Sequence, residues 1–357
     1  MKIGIILHPY GEKKPAGLAR FIFDLTKSLV ENDEKNEYII YLKKEVSILP
    51  KFSTDNYKVH VLGFGKLWRD LGFYFAPKAD FYIFNTPILP ILFKPKKTAV
   101  IILDFGCQII KPKSLKDSVV LKIIFLMNKF SLSKADNIIS ISEYTKTSAL
   151  ELFKISKDKI KVIYPGYKKI CAEVEKKDNQ LSYFLFVGVI KQRKNVHNLV
   201  SAFIKSKKEG NIRQKLIIVG KGSDDYMKNI KKKILESGLE EEILFLGHVG
   251  DDELANLYKN AYGFLFPSYI EGFGFPILEA MSCGIPVLTS HASSLGEVAG
   301  GAALLVDPLD VDGMSNKITE LATNNGLRKE LVIKGYKRTE DFSWKKSAKE
   351  YYRLYKN

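Results

Sequence analysis

"YFLFVGVIKQRKNVHNLVSAF", residues 183–203, opens on an unbroken apolar run, passes a glycine and a basic loop, and enters a helical pattern near Asn195. A run of this length, apolar on both faces, reads as a strand buried within a parallel sheet. Outward from it the same unit recurs. "KLIIVG", "EILFLG", "GFLFP", "PVLTS" and "ALLVD" follow it, and "KIGIILH", "YIIYLK", "KVHVLG", "FYIFN", "AVIIL" and "NIISIS" precede it. Helical patterns separate them, at 17–31, 115–134 and 143–153 in the first half. Strand–helix alternation on this scale predicts a doubly wound α/β fold, and the absence of a repeat of 20–50 residues excludes a solenoid.

The joint falls in "VIYPGYKK", residues 162–169, where Pro165-Gly166 stops a strand and a lysine-rich stretch follows. The expected plan is two Rossmann-like domains, residues 1–166 and 167–342, facing a cleft with the carboxyl ends of their strands. An amphipathic segment at about 343–357, with Trp344, Tyr351, Tyr352 and Leu354, is expected to pack back on the first domain.

The chain has 357 residues, 46% of them hydrophobic, enough for two cores. Cys107, Cys171 and Cys283 lie far apart without a CxxC pair, which argues against a disulfide framework or a zinc site and for a reducing compartment. The short apolar run of "MKIGIILH" fits a strand better than a leader, and no run approaches the roughly 20 residues of a membrane span. Net charge is +16, and residues 1–166 hold 27 Lys and Arg against 16 Asp and Glu. Such a basic half suits an anionic partner, although a solvated lysine coat reads as well.

The second informative stretch is "SYIEGFGFPILEAMSCGIPV", residues 268–287. Pro276 suits the first turn of a helix, with Phe275 near its N-cap and Gly284 as the C-cap. The mouth of that helix is a ready anion site, and Gly272 and Gly274 let a ligand approach the backbone. Glu279, expected in the first turn, suits ribose hydroxyls beside a phosphate; Glu271 reaches hydroxyls on the far side. Lys191, Arg193 and Lys194, in the loop after the strand at 183, suit a diphosphate. A structural connection with Glu279 as a helix-start charge, and a solvated basic loop, are the competing readings.

"YIEGFGFPILEA" resembles the E-x7-E motif of family 4 glycosyltransferases of the GT-B fold. In the same order as in that family, "KKPAGLARFIFDL" resembles the glycine loop and first helix, "ADNIISISEYTK" an internal strand–helix segment, and "FLFVGVIKQRKN" the phosphate loop. "LIIVGKGSDDY", "ILFLGHVGDDELANLYKNA" and "PVLTSHASSLGEVAGGAALLVDP" extend the likeness over nearly the whole chain. The resemblance implies retaining transfer of a hexose-type sugar from a nucleotide-sugar to a hydroxyl of a glycan or polyprenyl-linked acceptor, in cell-envelope polysaccharide synthesis. Arg193 and Lys194 would neutralise the leaving diphosphate, with the Gly17 loop approaching from the other domain. The backbone around Phe273, Gly274, Phe275, Pro276 and Ile277 would bind the donor sugar beside Glu271. Glu279 would hold the ribose and His248 would line the base. No metal or other cofactor is expected; the donor would be GDP-mannose or a UDP-hexose. Leu103 stands where the family often has histidine, leaving Asp104 to orient the acceptor, and Val189 stands where many members have arginine.

Competing classes leave weaker traces. No GxGxxG follows a first strand, as a nicotinamide enzyme requires, and no helix-turn-helix, RNP or zinc-finger signature supports a nucleic-acid partner. A nucleotide-sugar binder that hydrolyses or epimerises its ligand fits the spacing equally. Residues 111–136, with Lys111, Lys113, Lys116, Lys122, Lys129 and Lys134 among bulky apolar side chains, and the aromatics of 68–78 suit either an anionic membrane surface or packing on a sheet. A cytoplasmic enzyme, peripheral on the inner face of the membrane, is the resulting expectation.

Overall fold

A computed structural model describes residues 1–11, 17–106, 114–171 and 182–356. Cys107, Lys111, Lys113 and the 13–16 part of the first glycine loop lie outside the described residues. The chain forms two compact units, Met1–Gly166 with Phe342–Asn357, and Tyr167–Asp341.

In the first unit, β1 (Lys2–Ile6), β2 (Glu37–Leu42), β3 (Tyr57–Val61), β4 (Phe81–Phe84), β5 (Thr98–Ile102), β6 (Asn137–Ser140) and β7 (Ile160–Val162) build a parallel sheet in the order β3-β2-β1-β4-β5-β6-β7. β5 is buried at every position, as a strand covered on both faces must be. α1 (Gly17–Glu31), α2 (Leu115–Lys134) and α3 (Glu143–Phe153) are the crossovers. Ser114 and Ser142 start α2 and α3 by accepting hydrogen bonds from the amides of Asp117 and Thr145.

The second unit repeats the winding. β8 (Tyr183–Val187), β9 (Lys215–Val219), β10 (Ile243–Gly247), β11 (Gly263–Phe266), β12 (Val287–Ser290) and β13 (Leu304–Val306) run parallel in the order β10-β9-β8-β11-β12-β13. The crossovers are α4 (Val196–Lys208), α5 (Asp224–Ser237), α6 (Asp251–Asn260), α7 (Phe275–Ser282) and α8 (Leu295–Ala299), with α9 (Val311–Thr323) and α10 (Asn325–Thr339) closing the unit.

The chain then returns to the first unit as α11 (Trp344–Lys356), which lies along α1. The Trp344 ring meets Phe21 at 5.7 Å, and the Tyr352 hydroxyl donates to the Leu29 carbonyl at 2.9 Å. Gly166 has no side chain because a Cβ there would overlap Trp344.

One sequence expectation is corrected. Cys171 and Cys283, 112 residues apart, form a disulfide in the second unit, with Cα atoms 5.3 Å apart. Linear distance misled because the turn at Cys171 and the end of α7 meet only in the folded unit, where both cysteines are buried.

Candidate active site at the carboxyl ends of the second sheet

The winding of the second sheet reverses between β8, which pairs with β9 on one side, and β11 on the other. Loops leaving the carboxyl ends of two such strands diverge and leave a crevice, the usual ligand position in an open α/β sheet. Here those loops are 188–195 and 267–274, the two basic and glycine-rich stretches singled out above.

They are locked together before any side-chain chemistry begins. Asn195, buried and left-handed at φ 59°, donates from Nδ2 to the carbonyls of Pro267 at 3.0 Å and Pro308 at 2.7 Å. The Tyr269 amide donates to the Arg193 carbonyl at 2.8 Å. This backbone frame presents the single 3-10 turn Gln192–Lys194 to the second loop.

Lys194 Nζ then reaches Glu271 Oε1 at 2.5 Å, and its ammonium lies 4.8 Å from the Phe266 ring centroid. Arg193 Nη1 stands 3.8 Å from Glu271 Oε2 and donates to the Ile270 carbonyl at 3.3 Å. The side chains of Lys194 and Glu271 are 12% and 8% exposed, so the pair is held out of water. A buried carboxylate is tolerable only with such partners, because desolvation of an unpaired charge costs several kcal/mol. The sequence reading has Glu271 reaching for sugar hydroxyls and the two cations reaching for phosphate. In the structure both cations turn to Glu271.

The Glu271 amide donates to Ser293 Oγ at 3.0 Å, and Ser294 Oγ donates to the carbonyls of Glu271 and Phe273, each at 2.9 Å. These two serines fix the loop, and nothing in the spacing of the sequence marks them. α7 begins one residue earlier than expected, with Gly274 at φ 108° as its N-cap and Pro276 in the first turn. A Cβ on Gly274 would meet Leu295 Cδ2 at 2.6 Å, so conformation and space both require glycine. Gly284 adopts the left-handed conformation just beyond the helix, at φ 73°. Phe273 and Ile277 face the core, which leaves only their backbone to a ligand; Phe275 and Pro276 are half-buried.

Because the cap is Gly274, Glu279 is the fifth helical residue and stands past the first turn, a second correction. Its Oε2 accepts from the hydroxyl of Tyr258, a fully buried residue of α6, at 3.3 Å. Burial, then the charge of Glu279, pushes the Tyr258 phenol well above its ordinary range, so it stays a donor throughout the physiological pH range.

The remaining expected residues lie elsewhere. His248 is exposed immediately after β10. Gly17 and Asp104 belong to the first unit: Gly17 begins α1 in open space, and exposed Asp104 follows β5, its Oδ1 accepting from the Gly106 amide at 3.0 Å. Val189 is exposed, and the Leu103 carbonyl accepts from Thr145 Oγ1 at 3.2 Å. Among the described residues no group of three or more His, Cys, Asp or Glu could hold a metal ion.

Comparison with known proteins adds to this geometry. Residues 168–338 match the family model described as Glycosyl transferases group 1. The chain is 34% identical over 239 residues to the O-antigen chain mannosyltransferase B of Escherichia coli, an alignment covering 63% of this chain and 62% of that protein. It thus spans less than two thirds of that relative's length. The sucrose-phosphate synthase of Thermosynechococcus elongatus superposes with a TM-score of 0.78 at 20% identity, over 99% of this chain and 98% of that one. Anabaena HepE, solved in complex with UDP and glucose, superposes with a TM-score of 0.73 at 17% identity over the whole of both chains. The fold is therefore GT-B, two Rossmann-like units of parallel sheet.

Proposed function

We propose that the chain is a retaining glycosyltransferase that moves a hexose from a nucleotide diphosphate sugar to a hydroxyl of a glycan or polyprenyl-linked acceptor in cell-envelope polysaccharide synthesis. The observation that carries this reading is the Lys194–Glu271 pair, with Arg193 beside it, at the switch point of the second sheet. The family match of residues 168–338 and the mannosyltransferase relative support it, and GDP-mannose is the first donor to test, ahead of UDP-hexoses.

The C1–O bond to the diphosphate breaks, a bond from C1 to the acceptor oxygen forms with the same anomeric configuration, and the acceptor's hydroxyl proton leaves with the departing diphosphate. Negative charge grows on the departing diphosphate, and Arg193, Lys194 and the positive end of α7 are the groups that stabilise it in place of a metal ion. Glu271 keeps both cations preorganised until the donor shares them. Glu279, held from behind by Tyr258, offers its other oxygen to the ribose, so the two carboxylates of E-x7-E do different work. His248 lines the base. Gly17 and Asp104 serve the diphosphate and acceptor from the first unit, and the enzyme works at the inner face of the membrane.

Thermal-shift titration with GDP-mannose, UDP-glucose and UDP-N-acetylglucosamine tests binding, and product analysis with and without acceptor separates transfer from hydrolysis or epimerisation. The expected result is stabilisation by one donor and acceptor-dependent product, abolished in Lys194→Ala. Absence of any nucleotide-sugar binding refutes the reading, as does wild-type turnover in both Lys194→Ala and Glu279→Ala.

A further inference from the structure

Among the described residues of the second unit, two other than glycine are left-handed, Asn195 at φ 59° and Ser293 at φ 55°. An L side chain seldom takes that conformation, and where it does the strain is kept for a local reason. Asparagine is one of the few types that tolerate it, and the reason for Asn195 is visible in its two carbonyl partners. Serine is not one of them. Ser293 lies in the loop that leaves the carboxyl end of β12, the strand beside β11, and runs into α8. That loop borders the mouth of α7, since Leu295 is the side chain that a Cβ on Gly274 would strike.

Fixing the 271–274 loop does not by itself account for Ser293, because its neighbour already does that work. Ser294 is fully buried, and its hydroxyl hydrogen is shared between the carbonyls of Glu271 and Phe273. Ser293 is half-buried, and its Oγ accepts from the Glu271 amide at 3.0 Å. A hydroxyl carries one hydrogen besides its two lone pairs. Among the described residues no acceptor takes the hydrogen of Ser293. Other residue types would sit at this position with less strain. Glycine would leave the Glu271 amide unpaired. Aspartate would accept from it but set a second negative charge where a diphosphate must come, and an asparagine oxygen only accepts. Serine is the short side chain whose single oxygen accepts from Glu271 and still donates to a ligand.

We infer that Ser293 is a specificity-determining residue of the donor site, its hydroxyl donating to a hydroxyl oxygen of the transferred hexose. The position of the loops selects this part of the donor. Strand order places the loop of Arg193 and Lys194, which follows β8, on one side of the 267–274 loop, and Ser293, which follows β12, on the other. The cations hold the diphosphate on the β8 side, so the hexose is what lies toward Ser293. The serine oxygen is fixed twice, by the Glu271 amide and by its own left-handed backbone, and a hydrogen bond from it is directional. A site built in this way to bond one sugar hydroxyl rejects a sugar that lacks or misplaces it. The inference rests on the nucleotide-sugar reading and adds to it a residue that reads the sugar.

The test is calorimetric titration of wild type, Ser293→Ala and Ser293→Gly with GDP-mannose, UDP-glucose, GDP and UDP. For the sugar donor that the wild type prefers, both variants are expected to bind about threefold to tenfold more weakly, while the matching diphosphate binds as it does to the wild type. Ser293→Gly carries no left-handed strain, so its affinity should fall with that of Ser293→Ala even where the two melt differently. Monodeoxy derivatives of the preferred donor complete the cycle. One of them should bind the wild type as weakly as the parent binds Ser293→Ala, and lose nothing further in that variant. Equal losses for diphosphate and sugar donor would mean that Ser293 only shapes the Glu271 loop, and would overturn the inference. Undiminished sugar affinity in the variants, or no such derivative, would overturn it too, with the nucleotide-sugar reading left standing. A wild type that binds neither donor would remove both.

Discussion

Replacing Lys194 by methionine keeps most of the side-chain volume and removes only the charge beside Glu271. The remaining cation, Arg193, is 3.8 Å from the other carboxylate oxygen, beyond a hydrogen bond, and the Glu271 side chain is 8% exposed. Removing one partner of a buried pair costs about 3–5 kcal/mol; with Arg193 recovering part of this, about 3 kcal/mol is expected. For a unit of this size that lowers its melting temperature by about 6–12 °C. Glu271→Gln alone strands the ammonium of Lys194 and should cost about 2 kcal/mol or more. The double variant, with neither charge, should be more stable than the sum of the singles by about 2 kcal/mol. Turnover separates structure from chemistry, because the double variant regains stability and stays about 10²–10³-fold slow. Calorimetric melts of the four proteins together with transfer rates complete the cycle. Additive single costs, or a double variant with restored turnover, would refute the argument that the pair is both a buried ion pair and part of the diphosphate site.

Three further outcomes are expected. Tyr258→Phe removes the donor behind Glu279 and should raise the donor's Kd and KM about threefold to tenfold with kcat little changed; a fall in kcat at constant KM would place Tyr258 elsewhere in the mechanism. Reduction of Cys171–Cys283, which closes a separation of 112 residues, should cost the second unit about 2–5 kcal/mol. The check is a melt with and without reductant, and alkylation of all three cysteines in denatured, unreduced protein would remove the basis for it. Burial raises the Asp33 carboxyl, but hydrogen bonds from Asn36, Tyr38 and the Lys35 and Asn36 amides outweigh it, so its pKa falls below 3.8. Its stabilisation is therefore complete above that value and lost as pH drops through the folded pKa. Asp33→Asn should cost about 1–2 kcal/mol at pH 7 and progressively less in acid below about pH 4; a cost unchanged down to pH 3 would contradict this.

How much of this was legible in the sequence depends on the range of the interaction. Strands announce themselves where burial on both faces makes the run almost wholly apolar, as in β5 and β8. β7 is three residues with Lys161 at its centre and carries no such signal. The basic loop and the glycine turn were legible because strand, loop and helix follow one another along the chain. Glu279 was misplaced within its helix because Pro276 drew the start toward itself, whereas the glycine conformation at 274 sets it. Tyr258 and Glu279 meet through the packing of α6 on α7, which no spacing rule encodes, and the cysteine pairing has the same origin. α2 scatters its apolar and polar residues around the helix, so its pattern could not say which side looks outward.

The return of α11 to the first unit makes that unit discontinuous in sequence. During synthesis the ribosome delivers β1 to β7 first, yet the cover over α1, with Trp344 against Phe21 and Gly166, arrives only after the whole second unit has emerged. The order of completion therefore reverses the order of translation, and the nascent first unit waits with an apolar flank open to chaperones or to other chains. A fragment cut at residue 166 would carry that exposed flank permanently.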